Sequence, residues 1–408
     1  MPLDRLPGLS GERLRAVGGA ADDQAWLVGG AVRDLLLGRP VGDLDVVVER
    51  PAAQVAARLP VEIVSRSQFG TLVIRWPDGD EWDLVTARSE RYAHPGALPT
   101  VQPGTLAEDL ARRDFTVNAM AASLAEPSWG QLVDPHDGLL DLAARRLRVL
   151  HERSYLDDPT RMFRLERYAA RLGFTPDKTQ RGWFYAVQRE RALDRVSGDR
   201  IRAELERSLS GDDWFPQLRA LISSGLLAMV LPRVVSADSR QALLDDAVAL
   251  WRAEGWPLPA LLWLVRLELA LPVRRDARVA SVAHATTRLN LSEAQRAVLT
   301  TPLPPPVGPV GAPSRLAAML DGLNDAQLML VMCHSPRLRE PVVTYRRYHQ
   351  ALRPTLSGDD LRALGLEPGP AMGRVLAELR RARIDGDVAD DDAERELARE
   401  LVAREHDA

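Results

Sequence analysis

The 408-residue sequence is very poor in the residues that build disulfide-linked or zinc-binding scaffolds. Cysteine occurs once, at Cys333, so an internal disulfide and a cysteine-rich metal site are both excluded. No uninterrupted apolar run approaches the roughly 20 residues that cross a bilayer. The N-terminal segment also lacks the apolar stretch of a signal peptide. These absences predict a cytoplasmic protein without a membrane partner, in which Cys333 is a small buried side chain.

Lysine is almost absent as well, since Lys178 is the only one among 53 basic residues. The net charge of −4 does not favour binding to nucleic acid, whose phosphates attract a basic surface. The charge is unevenly distributed, however. Residues 141–210 carry 16 cations and 11 acids, whereas residues 381–408 carry 5 cations and 10 acids. The overall value therefore averages a basic central segment with an acidic C-terminus.

Hydrophobic periodicity divides the chain into a mixed N-terminal third and a helical remainder. Short β-rich runs occur at 25–29, 44–49, 71–76 and 81–87, around one clear helix, AVRDLLLG. This alternation predicts a sheet covered by helices. After about residue 140, apolar residues recur at helical spacing. The segment TPLPPPVGPVGAPS has the composition of an extended linker, and the acid-rich end of the chain is expected to be either a charged helix or a frayed terminus.

A glycine pair, Gly29 and Gly30, separates the first predicted strand from the helix that follows it. Glycine lets the backbone approach a ligand closely, and the free N–H groups at a helix start attract anions. Arg33 adds a cation in the same turn. The motif is thus a candidate cradle for a triphosphate, although turns of this kind also serve packing alone.

Two carboxylates, Asp43 and Asp45, lie at the start of the apolar strand LDVVVE. Alternation along a strand places both on one face, with Leu44 on the other. Magnesium binds carboxylate oxygens together with substrate phosphates, and two such ions can act together in phosphoryl transfer. Asp83, on another predicted strand, is a candidate third carboxylate. A solvated strand end is the alternative interpretation.

Taken together, GGAVRDLLLG followed by GDLD resembles the head of class II tRNA nucleotidyltransferases, the family of bacterial CCA-adding enzymes and poly(A) polymerases. The resemblance implies an α+β fold, with a polymerase β-like mixed-sheet head followed by an all-α neck, body and tail. It also implies that Asp43 and Asp45 are catalytic and bind two Mg²⁺ ions. Gly29, Gly30 and Arg33 would hold the triphosphate.

Two further motifs of this family follow. EDLARRDFTVNAMA matches its Arg-Arg-Asp-x-Thr-x-Asn-Ala motif, which implies that Arg113 contacts the triphosphate and that Asp114 and Asn118 contact the ribose. A carboxylate that accepts a hydrogen bond from a ribose hydroxyl favours ribonucleotides. DLVTARSERY matches the family's flexible loop, which the resemblance connects with switching from CTP to ATP. The matching loop residues are Arg88, Glu90 and Tyr92.

The segment YLDDPTRMFRLERYAARLGF is similar to the helix with which the family recognises bases. Pro159 is expected in its first turn, with Asp157 or Asp158 as the cap. Cytosine and adenine present an amino donor beside a ring-nitrogen acceptor, whereas guanine and uracil present the reverse order. A carboxylate beside a guanidinium therefore fits cytosine and adenine and opposes the other two.

The base-binding residues implied by this resemblance are Asp158, Arg161, Arg164 and Arg167. The pair formed by Asp158 and Arg161 would select the base without a nucleic-acid template. The alternative for this helix in isolation is a capping aspartate followed by a solvated arginine face.

The family motifs cover about residues 25–200, and they predict both a domain organisation and an activity. The implied domains are a catalytic head at 1–145, a neck at 146–215, a body at 216–300, a linker at 301–314, and a tRNA-binding tail at 315–408 with the acidic C-terminus. The implied reaction is template-independent addition of CMP and AMP, from CTP and ATP, to the 3′ end of tRNA. Addition of CC only, of A only, and poly(A) synthesis share these motifs. A catalytically silent RNA-binding relative is the non-enzyme alternative, and the oligomeric state is left open.

Overall fold

The computed structural model describes Leu3 and residues 10–67, 69–301 and 311–406. The chain divides into two units. The first unit contains the residues up to Pro232 together with Thr287–Asn290, and the second contains Arg233–Thr286 and the residues from Leu291 onward. All of the predicted site residues lie in the first unit.

A mixed sheet forms the centre of the N-terminal third. The strands are β1 (Ala25–Val28), β2 (Asp45–Val48), β3 (Glu62–Arg66), β4 (Thr71–Arg75), β5 (Glu81–Thr86), β6 (Arg88–Arg91), β7 (Thr100–Pro103), β8 (Ala121–Ser123) and β9 (Leu132–Val133). Their order in the sheet is β3-β4-β5-β2-β1-β8-β9, while β6 and β7 form a separate antiparallel pair. Neighbours in the sheet are antiparallel except for β2 and β5, which are parallel.

Short helices cover this sheet. They are α1 (Ser10–Ala20), α2 (Gly30–Leu36), α3 (Ala52–Ala56), α4 (Leu106–Ala111) and α5 (Gly138–Ala143). Val47 of β2 packs in one apolar cluster with Leu106 and Leu110 of α4, and the three valines of β2 are at most 1% exposed. A strand that is buried on both faces has a continuous run of apolar residues in its sequence, and this run made it possible to predict β2.

The predicted fold class is confirmed, and the four predicted strands correspond to β1, β2, β4 and β5. The remaining strands were not predicted. Strand β3 lies at the sheet edge and is mostly exposed, so it lacks an alternating apolar pattern. Strand β8 contains only two alanines and a serine, residues without the branched or aromatic side chains that are typical of strands.

Helices complete the first unit: α6 (Ser154–Asp157), α7 (Arg161–Leu172), α8 (Lys178–Arg189), α9 (Gly198–Ser210), α10 (Trp214–Ser223) and α11 (Leu226–Val230). Helix α7 begins at Arg161 with Thr160 as its N-cap, so the expected cap at Asp157 or Asp158, with Pro159 in the first turn, is wrong. The reason is that Asp158 is the C-cap of α6, and its Oδ1 accepts hydrogen bonds from the N–H and the hydroxyl of Thr160. These bonds form a turn between the two helices.

Every regular element among the described residues of the second unit is a helix. It contains α12 (Asp238–Ala253), α13 (Leu262–Glu268), most of α14 (Arg275–Arg288), α15 (Glu293–Leu299), α16 (Pro313–Leu320), α17 (Asp325–His334), α18 (Arg339–Thr344), a π-helical turn (Tyr345–His349), α19 (Gly358–Ala363), α20 (Pro370–Asp385) and α21 (Asp391–His406). Cys333 is buried, as expected. The acid-rich C-terminus forms α21, whose Ala398 and Val402 pack in one cluster with Leu379 of α20.

The predicted domain boundaries stay predictions. Residues 302–310 of the predicted linker lie outside the described residues, while Pro313 and Ser314 begin α16, since proline suits a first helical turn. The division between the two units falls at Pro232, within the segment predicted as the body. Among the described residues, none of the helices combines the length and the apolar composition needed to cross a membrane.

Candidate active site

A cavity of about 520 Å³ in the first unit brings together almost all of the predicted site residues. The predicted residues that line it are Gly29, Gly30, Arg33, Asp43, Asp45, Asp83, Arg88, Glu90, Tyr92, Arg113, Asp114, Asn118, Asp158, Arg161 and Arg164. Arg112, Tyr168 and Arg171 also line it and were not among the predicted site residues. Segments far apart in the sequence therefore meet at one cavity.

Three carboxylates form one wall of this cavity. Asp45 and Asp83 lie directly opposite each other because β2 and β5 pair in parallel register at this position, and Asp43 precedes β2 by two residues. Burial, followed by the nearby charge of Asp83, raises the pKa of Asp45 to about 6, although Arg113 acts in the opposite direction. Burial and Asp43 likewise raise the pKa of Asp83. Crowded carboxylates of this kind attract a cation.

This acidic wall fits a divalent cation that takes part of its coordination from a substrate. Within the described residues, no group of three or more histidine, cysteine, aspartate or glutamate side chains is arranged to hold a metal ion alone. Magnesium is commonly bound by one or two carboxylates, with substrate phosphates and water completing its shell. Asp43, Asp45 and Asp83 supply the type of ligand that such a site needs.

The glycine turn between β1 and α2 lies against an arginine. Gly29 has a φ of +70°, and a Cβ atom there would lie 2.7 Å from Nη1 of Arg113 and 3.8 Å from Oδ2 of Asp45. A larger residue would therefore be strained and would displace Arg113. The turn keeps backbone, guanidinium and carboxylate close together on the cavity wall.

Arg33 is held rigidly beside this turn and is 3% exposed. Its Nε and Nη2 donate to the two carboxylate oxygens of Asp34 at 2.9 and 2.8 Å, and Nη1 donates to Oδ1 of Asn118 at 2.6 Å. Its guanidinium carbon lies 5.4 Å from the centre of the Tyr168 ring. Arg33 therefore fixes Asn118 as well as contributing positive charge.

A buried carboxylate that was not predicted as a site residue holds two arginines of the cavity wall. Asp109 is fully buried, and its Oδ1 accepts from Nε and Nη2 of Arg112 at 2.9 and 2.6 Å. Its Oδ2 accepts from Nε and Nη2 of Arg113 at 3.2 and 2.9 Å. Burial acts to raise the pKa of Asp109, but Arg113 and Arg112 outweigh it and lower the pKa. In the sequence, the available signal was that Arg112 and Arg113 follow Asp109 by three and four residues.

Asp114 does not pair with the adjacent Arg113. Its buried Oδ1 accepts from the N–H of Phe115 at 2.8 Å and from Nδ2 of Asn118 at 3.1 Å. Its Oδ2 forms an ion pair with Nη2 of Arg164 at 2.8 Å. Burial would raise the pKa of this carboxyl, yet Arg164 and the hydrogen bonds lower it, so Asp114 is an ionised acceptor on the cavity wall.

Asp158 and Arg161 both line the cavity, but each is held by other groups. Arg161 is 5% exposed and donates through Nη1 to the hydroxyl of Ser154 and through Nη2 to the carbonyl oxygen of Arg112 at 2.6 Å. Oδ1 of Asp158 accepts from Nη2 of Arg200 at 2.7 Å. The two side chains are thus fixed separately within one site.

Arg167 is the predicted site residue that the structure does not bring to the cavity wall. Its Nη1 donates to Oε2 of Glu204 on α9 at 2.7 Å, so its guanidinium joins α7 to α9. This position differs from the predicted role in base binding. The cause is the rotation of α7, which directs residues 164 and 168 to the cavity and residue 167 toward α9.

In this structure, the segment predicted as the flexible loop begins with β6, which pairs with β7 as an antiparallel hairpin. Glu90 of β6 accepts from Nη1 of Arg112 at 2.9 Å and from the hydroxyl of Tyr92 at 3.0 Å. Arg88 donates through Nη1 to the carbonyl oxygen of Phe69 at 2.6 Å. Burial, as the main cause, raises the pKa of Tyr92, so its hydroxyl stays protonated and donates. The loop is thereby connected to Arg112 on the cavity wall.

Two family models match this chain, one in the N-terminal third and one in the helical region. The family model described as the poly A polymerase head domain matches residues 25–148. A second, described as the probable RNA and SrmB-binding site of polymerase A, matches residues 187–237.

Similarity to relatives extends over nearly the whole of this chain. The chain is 32% identical to an A-adding tRNA nucleotidyltransferase of Geobacter sulfurreducens, over 97% of this chain and 48% of that protein. It therefore spans about half the length of that relative. It is 33% identical to a CC-adding tRNA nucleotidyltransferase of Deinococcus radiodurans, over 93% of this chain and 89% of that protein. A solved structure of a CCA-adding enzyme in its apo form II is similar with a TM-score of 0.76 and 26% identity, covering 98% of this chain and 97% of that one.

Proposed function

Because the chain belongs to the family of class II tRNA nucleotidyltransferases, we propose that it adds nucleotides to the 3′ end of tRNA in the cytoplasm. The observation that carries this proposal is the acidic wall formed by Asp43, Asp45 and Asp83. It faces arginines in a cavity large enough for a nucleotide. The substrates are CTP, ATP and the tRNA acceptor end, and the helical body and tail contact the tRNA by shape and backbone.

The chemistry is a nucleotidyl transfer. The 3′ hydroxyl of the tRNA loses its proton to solvent and its oxygen attacks the α-phosphorus of the incoming nucleotide. The bond between the α-phosphorus and the bridging oxygen of the β-phosphate breaks, and pyrophosphate leaves. Asp43 and Asp45, with Asp83 beside them, would hold two Mg²⁺ ions, and these ions would supply positive charge that lowers the pKa of the attacking hydroxyl and neutralises the leaving phosphates. Gly29 and Gly30 leave room for the triphosphate.

Arginines on the facing wall orient the nucleotide. Arg113, held by Asp109, presents a preorganised guanidinium to the triphosphate beside the glycine turn, which is the arrangement that stabilises developing charge on a phosphoryl group. Arg33 holds Asn118, whose amide nitrogen donates to Asp114. Asp114 is then available to accept a hydrogen bond from a ribose hydroxyl.

The base is selected by Asp158 and Arg161. Oδ1 of Asp158 is occupied by the N–H and hydroxyl of Thr160 and by Arg200, which leaves Oδ2 to accept the amino group of cytosine or adenine. Arg161 donates to the neighbouring ring nitrogen. Uracil and guanine would place an acceptor opposite Asp158 and a donor opposite Arg161, and so they are rejected.

Asp158→Ala is expected to lower the discrimination between CTP or ATP and UTP or GTP by at least about 10-fold, since an alanine cannot oppose a carbonyl acceptor. Single-nucleotide incorporation with each of the four triphosphates measures this ratio. The matched control is Asp157→Ala, which removes a neighbouring carboxylate that does not line the cavity. Equal loss of discrimination in both variants would contradict the assignment.

The product is proposed to include AMP. Arg88, Glu90 and Tyr92 all line the cavity, and Glu90 accepts hydrogen bonds from Arg112 and from Tyr92. This intact loop favours an enzyme that handles ATP. Addition of CC only, poly(A) synthesis and an inactive RNA-binding role are the alternatives. The acidic helix α21 argues against a poly(A) polymerase.

One experiment separates these alternatives. Purified protein with Mg²⁺ is given three tRNAs, which end at the discriminator base, at C and at CC, with CTP and ATP separately and together. A CCA-adding enzyme completes all three, an A-adding enzyme extends only the tRNA that ends at CC, and a CC-adding enzyme stops before A. Long homopolymer indicates a poly(A) polymerase. Absence of incorporation on every tRNA would overturn the proposed function.

A further inference from the structure

We propose that Arg200 is a positioning residue for base selection, and that together with Thr160 it determines which oxygen of Asp158 is offered to the base. This inference rests on the proposed function. Arg200 lies in the first turn of α9 and does not line the cavity, so it acts through Asp158 rather than on the nucleotide.

The guanidinium of Arg200 bridges two segments that are distant in the sequence. Its Nη2 donates to Oδ1 of Asp158 at 2.7 Å, and its Nη1 donates to the carbonyl oxygen of Gly96 at 3.0 Å. Gly96 in turn donates from its N–H to the carbonyl oxygen of Asp157 at 3.2 Å. The two ends of one guanidinium therefore connect the turn before α7 to the segment between β6 and β7.

The bonds to Asp158 are strongly asymmetric. Oδ1 accepts from Arg200, from the N–H of Thr160 at 3.0 Å and from the hydroxyl of Thr160 at 2.6 Å. Among the described residues, no hydrogen bond to Oδ2 is present. A carboxylate oxygen that already receives three donors has no capacity for another, so Oδ2 is the acceptor left for an exocyclic amino group. Asp158 lines the cavity, where that oxygen can meet a base.

Selectivity depends on how firmly this carboxylate is held. The terminal torsion of aspartate is broad, so a carboxylate without a partner samples many orientations. With Arg200 bonded, Asp158 cannot turn away from a carbonyl oxygen of uracil or guanine, and the repulsion between the two acceptors is retained. Without Arg200, only the two bonds from Thr160 hold the carboxylate, and it can rotate more freely to relieve that repulsion. Loss of Arg200 is therefore expected to raise incorporation of the wrong bases more than it lowers incorporation of the right ones.

The test compares three variants of the full chain. Arg200→Met keeps the length of the stem and removes both hydrogen bonds, whereas Arg200→Lys keeps one charged donor. The matched control is Arg202→Met in the same helix, because Arg202 donates to the carbonyl oxygens of Leu289 and Asn290 and does not contact Asp158. Thermal unfolding of each variant reports on folding. Incorporation of each of the four triphosphates into tRNA gives the discrimination ratio.

Arg200→Met is expected to lower the ratio of correct to incorrect incorporation by about 10-fold, since charge-assisted hydrogen bonds orient the carboxylate. Arg200→Lys should recover part of it, and Arg202→Met should leave the ratio unchanged. Retention of wild-type discrimination by Arg200→Met, or an equal change in Arg202→Met, overturns this inference and leaves the proposed function intact. Wild-type protein that incorporates no nucleotide overturns the proposed function itself.

Discussion

Asp45→Asn is expected to lower nucleotide incorporation by roughly 10³-fold or more, while binding of tRNA is retained. The amide keeps the shape of the side chain but removes the negative charge opposite Asp83. Incorporation of labelled CTP and ATP measures the loss, and a gel-shift titration measures tRNA binding. The matched control is Glu81→Gln, which changes an exposed carboxylate to an amide on the same strand as Asp83.

Near wild-type incorporation by Asp45→Asn would contradict the catalytic assignment. A parallel loss of tRNA binding would show instead that Asp45 maintains the fold or the RNA surface. Glu81→Gln should behave as wild type in both assays.

The same substitution has an opposite consequence for stability, measured without divalent metal. The pKa of Asp45 is raised to about 6 from an ordinary value of 3.8, so the folded state binds its proton more tightly than the unfolded state does. This contribution to stability is fully present below about pH 4 and is lost as the pH rises through 6. Asp45→Asn should therefore raise the free energy of unfolding at pH 7 by roughly 1 to 3 kcal/mol in EDTA, and the gain should shrink toward pH 4.

Asp109→Asn is expected to destabilise the protein by roughly 3 kcal/mol and to reduce incorporation as well. Both oxygens of Asp109 are occupied by guanidinium donors, so loss of its charge leaves Arg112 and Arg113 without their shared counter-ion. Denaturant unfolding followed by circular dichroism measures the change.

Glu108→Gln is the matched control for Asp109→Asn. Glu108 is an exposed neighbour in the same helix, and it forms a capping box with Thr105 that glutamine can also form. Its variant should change stability by less than about 0.5 kcal/mol. If Asp109→Asn is no more destabilising than this control, the ion pairs of Asp109 with Arg112 and Arg113 do not contribute to stability.

The sequence was sufficient to predict elements that are buried in continuous or periodic apolar patterns. This group contains strands β1, β2, β4 and β5 and the helical region. The position of Asp43 and Asp45 at the beginning of an apolar strand could also be predicted. Strand β3 and strand β8 were not predictable in this way, since an exposed edge and a run of small residues have no distinctive pattern. Pairing in the sheet, and not local preference, determines them.

The partners of the site residues were harder to predict than the residues themselves. Asp109 lies three and four residues before Arg112 and Arg113, so the sequence spacing alone allows these ion pairs. Arg200 is 42 residues from Asp158, and Glu204 is 37 residues from Arg167. Which face of α9 meets the turn before α7 depends on tertiary packing, and no local pattern contains that information.

Helix α7 places its cavity-lining side chains, Arg161, Arg164, Tyr168 and Arg171, at steps of three, four and three residues. One inserted residue after Arg164 would rotate everything beyond it by about 100° and turn Tyr168 away from Arg33. Variation in this helix should therefore occur by exchange of one side chain for another, while insertions and deletions accumulate in the turns at either end.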